Sequence, residues 1–512
     1  MTRYLLGVDL GTTSIKVSIF REDGVLAASQ SGEYPILAPI VGYAEQDPNL
    51  WWQGFLKACQ TLKVENSELM STVVGIGLCG QMHTQVYLDE QFRILRPAIT
   101  WMDQRSAEIV NKINQDKVAK ALIQKETGNT ASTTYTAMHV KWVIEHQPEV
   151  WHKVRHILVA KDYLKYLLTG ELVTDFAEAS GTLLFNVKSE EWSAAAFDFF
   201  GIPQNYFPKV MPSDVVIGKL NPEAARLTGL PVGIPVINGS SDNSSSALGS
   251  GVTRSGEVSL ILGTAGVISV CSDRPLEDTL GRTLCWHYCL PHQWVTLGIM
   301  QTAGESLEWF KNAFDIAEHE KETSRDIFER YNKAVEAIPE GCDGLTFLPY
   351  LNGERTPYWD TNARGVFFGI NLKTSKAHFI RAIMEGVAYA FRNNVETVES
   401  LGIKIDEVRA VGGGLNSQIW LQILGKVLKK PIVTVNVPDT ANLGNILLCG
   451  KALGIYSDYT DAVNQMVKAE RRVYYPEGAV CYERQYPLFL NLYQALKPSY
   501  RYVAENCENL SN

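Results

Sequence analysis

A single carboxylate after a short apolar segment is the first group in this sequence that could do chemistry. Residues 234–237 read Ile-Pro-Val-Ile, which predicts a buried strand, and the small residues that follow lead to Asp242 and Asn243. This pattern predicts a tight loop at the open end of a strand and then a helix of small residues. A carboxylate in such a loop can accept a proton from a small substrate. The alternative is that Asp242 only caps the helix, because Asp, Asn and Ser all prefer the N-cap position.

A turn of small residues near the N-terminus is the second such feature. The first 30 residues predict three strands and two turns, in the order strand 4–9, turn 11–14, strand 15–20, turn 21–24 and strand 25–29. The first turn, Gly-Thr-Thr-Ser, can present backbone N–H groups and hydroxyls to phosphate oxygens. An ordinary hairpin turn is the alternative.

A second copy of this pattern favours the phosphate interpretation. Residues 256–270 again predict strand, turn and strand, and the turn is Gly263-Thr-Ala-Gly266. Two copies about half a chain apart indicate two related domains, which we place at residues 1–250 and 251–512. Two such turns could hold one polyphosphate from both sides.

Further polar or glycine-rich segments follow predicted strands, where the loops of an open α/β sheet usually bind ligands. These segments are residues 80–84, 97–105, 160–164, 174–182 and 412–417. Among them, the three glycines 412–414 lie between a predicted strand and a helix, and glycine there lets backbone approach a flat ligand or a phosphate closely.

Size and composition set the class of protein. A chain of 512 residues exceeds one hydrophobic core, and 46% hydrophobic and 20% charged residues are typical of a globular protein. The net charge of −9 argues against a general affinity for nucleic acid or anionic membranes. We find no long apolar run and no secretory signal pattern, and the nine cysteines show no zinc-like spacing. A reduced cytoplasm is therefore the expected location.

Taken together, these motifs resemble those of the FGGY carbohydrate kinases of the actin/hexokinase/Hsp70 superfamily, from about residue 5 to about residue 454. The residues that carry the resemblance are 9–13 for the first phosphate loop, 263–264 for the second, 412–414 with Ser417 for the adenosine motif, and 365–370, 378–379 and 382–385 for the C-terminal signature. The resemblance implies an α/β fold with two ribonuclease H-like (actin/hexokinase/Hsp70-type) domains facing across a central cleft. The first domain would carry the sugar site and the second the adenosine site.

The resemblance also implies a reaction: the γ-phosphoryl of ATP passes to a terminal hydroxyl of a small sugar. Asp242 would be the general base, and Asp9 would hold Mg²⁺ through water. The residues expected at the nucleotide are Gly11, Thr12, Thr13, Lys16, Gly263, Thr264, Gly304, Glu308, Gly412, Gly413, Gly414 and Ser417. For Lys16, a solvated strand face is an equal alternative.

Within the family, the motifs are most similar to those of the xylulokinases, which implies phosphorylation of D-xylulose to D-xylulose 5-phosphate. The segments behind this prediction are 45–48 with Trp51 and Trp52, 81–83, Trp101 with Asp103 and Arg105, and 353–357. The residues expected at the sugar are Met82, His83, Trp101, Asp103, Asp242 and Asn243. A structural role for His83 and a simple ion pair between Asp103 and Arg105 are the alternatives.

Several positions depart from the family pattern. His139 stands where a lysine is usual, Ser240-Ser241 where glycines are usual, and Thr84 where xylulokinases tend to have glycine. Because these lie near the expected sugar pocket, another pentulose, a pentitol or a tetritol stays open as the acceptor. Residues 444–446, Gly-Asn-Ile, replace a usual Gly-Ala-Ala and are expected to affect packing on the nucleotide side.

A different class of function is also open. An ATPase of the same superfamily could use the nucleotide clamp as a conformational switch, although Asp242 and the sugar-side motifs argue against it. The expected partners are a small sugar and ATP, with no nucleic acid and no membrane. The resemblance also allows a homodimer.

Overall fold

The computed structural model describes residues 2–315 and 323–507, which pack into two compact units. The first unit contains the chain up to Ser255, together with Cys271–Val295 and Val437–Lys468. Within the described residues, the second unit contains Gly256–Val270, Thr296–Asn436 and the chain from Ala469. The two units do not coincide with the two predicted domains, because the first unit also contains two segments that follow residue 250. The domain boundary between residues 250 and 251 therefore stays a prediction that rests on the sequence repeat.

The strands alternate with helices along most of the chain. The strands are β1 Tyr4–Leu10, β2 Ser14–Arg21, β3 Leu26–Glu33, β4 Glu45–Gln46, β5 Val73–Gly80, β6 Gln85–Leu88, β7 Ala98–Ile99, β8 His156–Val159, β9 Val173–Asp175, β10 Phe185–Asn186, β11 Glu191–Trp192, β12 Lys209–Met211, β13 Val216–Lys219, β14 Pro235–Ile237, β15 Ser240–Ser241, β16 Glu257–Leu262, β17 Gly266–Ser272, β18 Leu284–His287, β19 Trp294–Met300, β20 Thr346–Leu348, β21 Val366–Phe368, β22 Glu407–Val411, β23 Ile432–Val435 and β24 Ala469–Val473.

The helices are mostly short, with two long ones in the C-terminal half of the chain. They are Pro48–Glu65, Ser67–Ser71, Ala107–Gln115, Lys117–Thr127, Thr136–His146, Pro148–Trp151, Ala160–Thr169, Phe176–Ser180, Ala194–Phe200, Pro222–Thr228, Asp242–Gly249, Gly304–Phe314, Ser324–Glu336, Lys376–Glu399, Gln418–Leu428, Thr440–Ala452, Tyr459–Met466 and Val480–Asn506. In the part of the chain that the structure describes, none of them combines the length and apolarity that a membrane span needs.

The main sheet of the first unit has the strand order β13-β14-β5-β1-β2-β3. Strands β1, β2 and β3 form an antiparallel meander, while β5 and β14 run parallel to β1. Leu6, Val8 and Leu78 from its central strands are fully buried in the core of this unit. The meander predicted for residues 4–29 is therefore confirmed. The buried strand predicted for residues 234–237 is confirmed as β14.

The sheet of the second unit repeats this plan. The seven-stranded sheet has the order β18-β19-β17-β16-β22-β23-β24, of which β16, β22, β23 and β24 belong wholly to the second unit. Strands β16 and β17 form an antiparallel hairpin, β22 and β23 continue parallel to β16, and β24 closes the edge antiparallel. The order antiparallel, parallel, parallel, antiparallel is also that of β2-β1-β5-β14-β13 in the first unit. The predicted repeat and the α/β class are confirmed.

One late helix lies in an unexpected place. Thr440–Ala452 packs in the first unit, against the helix Asp242–Gly249. The two helices touch backbone to backbone, since a Cβ added at Gly444 would lie 2.0 Å from the carbonyl oxygen of Ser245. Asn445 Nδ2 also donates to the carbonyl of Val8 (3.0 Å) in β1. Residues 444–446 therefore pack in the first unit, to which the chain returns at Val437, and their expected effect on packing on the nucleotide side stays a prediction.

Candidate active site

The helix Asp242–Gly249 begins at the carboxyl edge of the first sheet. Ser240 and Ser241 pair in parallel with Cys79 and Gly80 of β5, and the helix starts at the next residue. Its N-cap is Ser241, whose Oγ accepts from the N–H of Ser244 (3.3 Å). The alternative in which Asp242 caps this helix is thus wrong. The half-buried Asp242 carboxylate accepts from the N–H of Asn243 (2.7 Å).

Asp242 interacts electrostatically with a second carboxylate, that of Asp9. Burial and, to a smaller extent, the negative charge of Asp9 together raise the pKa of Asp242 to about 7. Burial likewise raises the pKa of Asp9 to about 6, while the thiol of Cys79 (3.3 Å) and the charge of Lys16 oppose that rise. The pKa of Asp242 therefore lies where a general base works best near neutral pH.

The first phosphate turn, Gly11 to Thr13, is fixed by hydrogen bonds to its three carbonyl groups. The carbonyl oxygen of Gly11 accepts from Tyr34 Oη (2.6 Å) and Gln81 Nε2 (3.3 Å). The carbonyl of Thr12 accepts from Gln46 Nε2 (2.5 Å), and that of Thr13 from the N–H of Tyr34 (3.1 Å). Because its carbonyl oxygens are bonded inward, this partly exposed turn can present N–H groups and hydroxyls to an anion.

Lys16 lies on β2 beside this turn. Its ammonium is 3.1 Å from Oδ2 of Asp439, which also accepts from Ser18 Oγ (2.8 Å). Asp439 itself is almost fully buried, while the lysine side chain is about one third exposed (35%). The structure thus gives Lys16 an ion pair, and its predicted contact with the nucleotide stays a prediction.

Met82 and His83 are buried just beyond the end of β5. The Nδ1 atom of His83 lies 2.5 Å from the carbonyl oxygen of Gly181. Its ring makes edge contacts with Tyr135 and Trp286, at centroid distances of 5.3 and 5.1 Å. These contacts support a structural role for His83, and its predicted bond to the sugar stays a prediction.

Trp101 and Asp103 have different surroundings. Trp101 is half-buried, and its indole N–H donates to Oγ1 of Thr12 (3.0 Å), so it contacts the first phosphate turn. Asp103 is fully buried and accepts from Nε and Nη2 of Arg105 (both 2.8 Å) and from the N–H of Ala44 (2.6 Å). Both oxygens of Asp103 are engaged, which favours the alternative of an ion pair with Arg105.

The second unit holds a cavity of about 890 Å³. Six of the eight nucleotide residues predicted in this unit line the cavity, namely Thr264, Gly304, Glu308, Gly413, Gly414 and Ser417, whereas Gly263 and Gly412 are not part of its lining. The helices Ser324–Glu336 and Gln418–Leu428 contribute other walls, and Ser417 Oγ joins them by donating to Asn332 Oδ1 (2.6 Å) and accepting from the N–H of Trp420 (3.2 Å). The cavity is large enough for a small cofactor.

Glycine is required at Gly304, which lines this cavity, and at Gly412, which precedes the lining residue Gly413. A Cβ at Gly304 would lie 2.6 Å from the carbonyl oxygen of Gly263, which accepts from the N–H of Gly304 (2.8 Å). Gly412 has φ 116°, and a Cβ there would lie 2.4 Å from the carbonyl oxygen of Leu262. The second phosphate turn therefore packs directly on the start of the helix Gly304–Phe314, whose N-terminal end favours an anion.

The departures from the family pattern are buried in the first unit. Burial lowers the pKa of His139 to about 4, so its ring is neutral at pH 7, and Nδ1 lies 3.3 Å from Gln85 Oε1. Thr84 donates to Gln81 Oε1 (3.1 Å), which ties it to the support of the first phosphate turn. Ser240 and Ser241 are fully buried in β15. These buried residues therefore contribute to the packing around the candidate site.

The sequence analysis missed a network of buried charged side chains around Asn238, which precedes Asp242 in the chain. Lys161, Lys165, Asp162, Asp175 and Glu178 are all buried around Asn238. Their segments carried a signal, because two lysines and an aspartate stand in the otherwise apolar helix Ala160–Thr169. The sequence could not show that their partner is Asn238, more than 70 residues further on.

The donors available in the first unit fit Mg²⁺ held mainly by a nucleotide. Among the described residues, no three His, Cys, Asp or Glu side chains are grouped to bind a metal by themselves. Mg²⁺ typically uses one or two carboxylates together with waters and substrate phosphates. The half-buried Asp9, with Asp242 in the same field, supplies such oxygen donors.

Comparison with known proteins defines the class. The N-terminal and C-terminal domain models of the FGGY family of carbohydrate kinases match residues 4–249 and 258–453. A xylulose kinase of Bacillus subtilis (strain 168) is 31% identical over 497 residues, covering 97% of both chains. A gluconokinase of the same strain is 30% identical over 513 residues, covering 99% of this chain and 98% of its own. The crystal structure of a ligand-bound xylulose kinase from Lactobacillus acidophilus is 28% identical with a TM-score of 0.91, covering 97% and 99% of the two chains.

The chain therefore belongs to the FGGY family of carbohydrate kinases. The predicted two-domain α/β fold and the predicted class of ATP-dependent carbohydrate kinase are confirmed. The relatives differ in the substrate that their names give, so family membership leaves the acceptor sugar open.

Proposed function

We propose that this kinase phosphorylates a terminal hydroxyl of D-xylulose, giving D-xylulose 5-phosphate, with Asp242 as the general base. The observation that carries the proposal is the half-buried Asp242 carboxylate, whose pKa of about 7 suits proton abstraction near neutral pH. A sugar hydroxyl is a weak nucleophile, and a positioned base typically contributes about 10²–10⁴-fold to the rate.

The nucleotide would be held by the second unit. The 890 Å³ cavity lined by Thr264, Gly304 and Gly413 supports an adenosine site, and the N-terminal end of the helix Gly304–Phe314 favours phosphate. The first phosphate turn, Gly11 to Thr13, would bind phosphate oxygens from the first unit. That both units meet around one ATP in a cleft stays the prediction made from the sequence.

Mg²⁺ would be held by Asp9, with its remaining ligands from water and phosphate. When bound, the ion spreads the negative charge of the transferred phosphoryl group. Its positive charge would also hold Asp9 ionised at neutral pH, against the effect of burial.

The choice of acceptor rests on the sugar-side residues. Arg105 is committed to Asp103 (2.8 Å) and to Glu45 (2.7 Å), and buried His139 is neutral at pH 7 because its pKa is lowered to about 4. An acidic sugar such as gluconate would need a cation here, so these pairs favour an uncharged acceptor. The names of relatives with 31% identity favour xylulose among the uncharged sugars.

A panel of acceptors tests the proposal. ADP release and sugar phosphate formation are measured together with D-xylulose, other pentuloses, pentitols, tetritols, glycerol and D-gluconate. We expect D-xylulose to give the highest kcat/KM, with one sugar phosphate formed per ADP. Clear turnover of another sugar with none of D-xylulose would overturn the acceptor, and ADP release that no sugar changes would favour the ATPase switch.

A further inference from the structure

Asn238 follows β14 directly, at the start of the chain segment that leads to Asp242, and buried lysines bond its carbonyl group. The carbonyl oxygen of Asn238 accepts from Nζ of Lys161 and from Nζ of Lys165, both at 3.0 Å. Lys165 also donates to the side-chain oxygen of Asn238. All three side chains are fully buried.

The other groups of Asn238 are fixed as well. Its Nδ2 donates to the carbonyls of Thr174 and Met211 (both 2.9 Å) and Pro212 (3.0 Å). The next residue, Gly239, has φ 72°, and a Cβ there would lie 2.0 Å from the carbonyl of Leu78 in β5. The chain from Asn238 to Asp242 therefore has one path along the end of β5.

The two ammonium groups are balanced by buried carboxylates. Asp175 lies 2.6 Å from Lys161, and Asp162 lies 3.0 Å from Lys165 and 3.3 Å from Lys161. The buried Glu178 carboxyl has no hydrogen-bond partner within the described chain, and burial raises its pKa well above the ordinary value. The raised pKa favours the neutral form of Glu178, and the two ammonium groups pair with the carboxylates of Asp162 and Asp175.

Such a network is poorly explained by stability alone. Taking four charges out of water costs several kcal/mol per ion, and well-packed apolar residues often replace buried ion pairs without loss of stability. A buried charged network can instead specify one local geometry. Here the geometry that it specifies is that of the chain leading to the proposed base.

We propose that Lys161 and Lys165 are positioning residues: they hold the carbonyl of Asn238 and so fix the direction in which the Asp242 carboxylate faces its substrate. This inference rests on the proposed function, because it assumes that Asp242 is the base. The lysines act through Asn238 and Asp242 and do not touch the reacting atoms.

Lys165→Met is the direct test, read as kcat and KM. We expect kcat to fall at least about tenfold while the KM for ATP stays within about twofold, because the cavity of the second unit is unchanged. Leaving Asp162 without its partner could prevent folding. The double variant Lys165→Met/Asp162→Leu removes the pair together and keeps the Lys161–Asp175 pair, so it should fold and show the same loss of kcat.

A double-mutant cycle separates positioning from a general effect on the fold. In an Asp242→Asn background, Lys165→Met/Asp162→Leu should change the residual rate by less than about twofold, because the base through which it acts is gone. Arg392→Met is the matched control, since Arg392 is also a buried cation paired with carboxylates, Glu396 (2.8 Å) and Glu483 (2.6 Å). We expect it to leave kcat unchanged, whatever it does to Tm.

A second readout applies if the residual rate is too small to measure. The acid limb of kcat/KM should move by at least about half a pH unit in Lys165→Met/Asp162→Leu, because a displaced carboxylate has different surroundings, and should not move in Arg392→Met. An equal loss of rate in both backgrounds, or an unchanged limb and kcat, overturns the positioning role while Asp242 stays the base. Full turnover by Asp242→Asn would overturn the proposed function itself.

Discussion

The strands β1 and β2 of the first unit and β16 and β17 of the second are joined by turns of nearly the same sequence. Both turns begin Gly-Thr, at Gly11 and at Gly263, and both sheets place two parallel strands beside the hairpin. Two residues before the glycine, the first unit has Asp9 and the second has Ile261. After the next parallel strand, the first unit continues into the buried Met82 and His83, and the second into glycines 412–414.

This difference shows how one backbone plan can place different side chains at corresponding positions. In the first unit, burial raises the pKa of Asp9 to about 6 and of Asp242 to about 7, which suits groups that hold a metal or take up a proton. In the second unit, Gly304 and Gly412 allow close backbone contact beside an 890 Å³ cavity. The first sheet therefore has two carboxylates at its edge, and the second sheet borders a cavity.

The largest effect that separates the two units should be that of pH. Asp242 acts as a base only when ionised, so kcat/KM for the sugar should fall about tenfold per pH unit below its pKa of about 7. At pH 5 the loss is about 100-fold. Equilibrium binding of ADP, which we assign to the second unit, is the control and should change far less. A flat profile between pH 5 and 8 would contradict the assignment of Asp242.

Gly304→Ala should damage the second unit alone. Its Cβ would lie 2.6 Å from the carbonyl of Gly263, so the second phosphate turn must move. We expect the KM for ATP to rise about tenfold, because such close contacts position the phosphates. The KM for the sugar in the same variant is the control, and an unchanged KM for ATP would remove this turn from the nucleotide site.

Trp101→Phe should have a smaller effect, on the first unit. It keeps an aromatic ring but loses the N–H that donates to Thr12 Oγ1 (3.0 Å). One such hydrogen bond is worth about 0.5–1.5 kcal/mol, so kcat should fall about two- to tenfold. Thr12→Val combined with Trp101→Phe should cost no more than Thr12→Val alone. Additive losses would show that Trp101 acts elsewhere, for instance on the sugar.

The smallest effect concerns stability. The pKa of Asp242 is raised in the folded protein, so the folded state keeps a proton that the unfolded chain loses near pH 4, and stability falls as pH rises from about 4 to 7. Asp242→Asn removes this penalty and should raise the free energy of unfolding by about 1–3 kcal/mol at pH 8. The gain should vanish near pH 3. Thermal unfolding at both pH values measures it, and an equal gain at both would contradict the buried charge.

The two sheets were predictable from the sequence because their strands are continuous or alternating apolar runs bounded by glycine turns. The lining of the second cavity by Thr264, Gly304, Glu308 and Ser417 was predictable only through the family resemblance. Residue preferences could not predict which of two neighbouring residues caps the helix Asp242–Gly249. Both Ser and Asp suit the N-cap position, and the structure has Ser241 there.

Contacts between distant parts of the chain were beyond the sequence pattern. Nothing local to Lys161 and Lys165 indicates that they bond the carbonyl of Asn238, and nothing near Gly444 indicates that its helix returns to pack on Ser245. Both depend on tertiary packing, which the propensity of a short segment does not determine.

The central claim is that Asp242 does the chemistry in the first unit while the second unit holds the nucleotide. Asp242→Asn tests it most directly, by comparing kcat with the Kd for ADP in one preparation. The account predicts a loss of kcat of about 10²–10⁴-fold with the Kd for ADP within about twofold of the wild type. Turnover within about threefold of the wild type would contradict it.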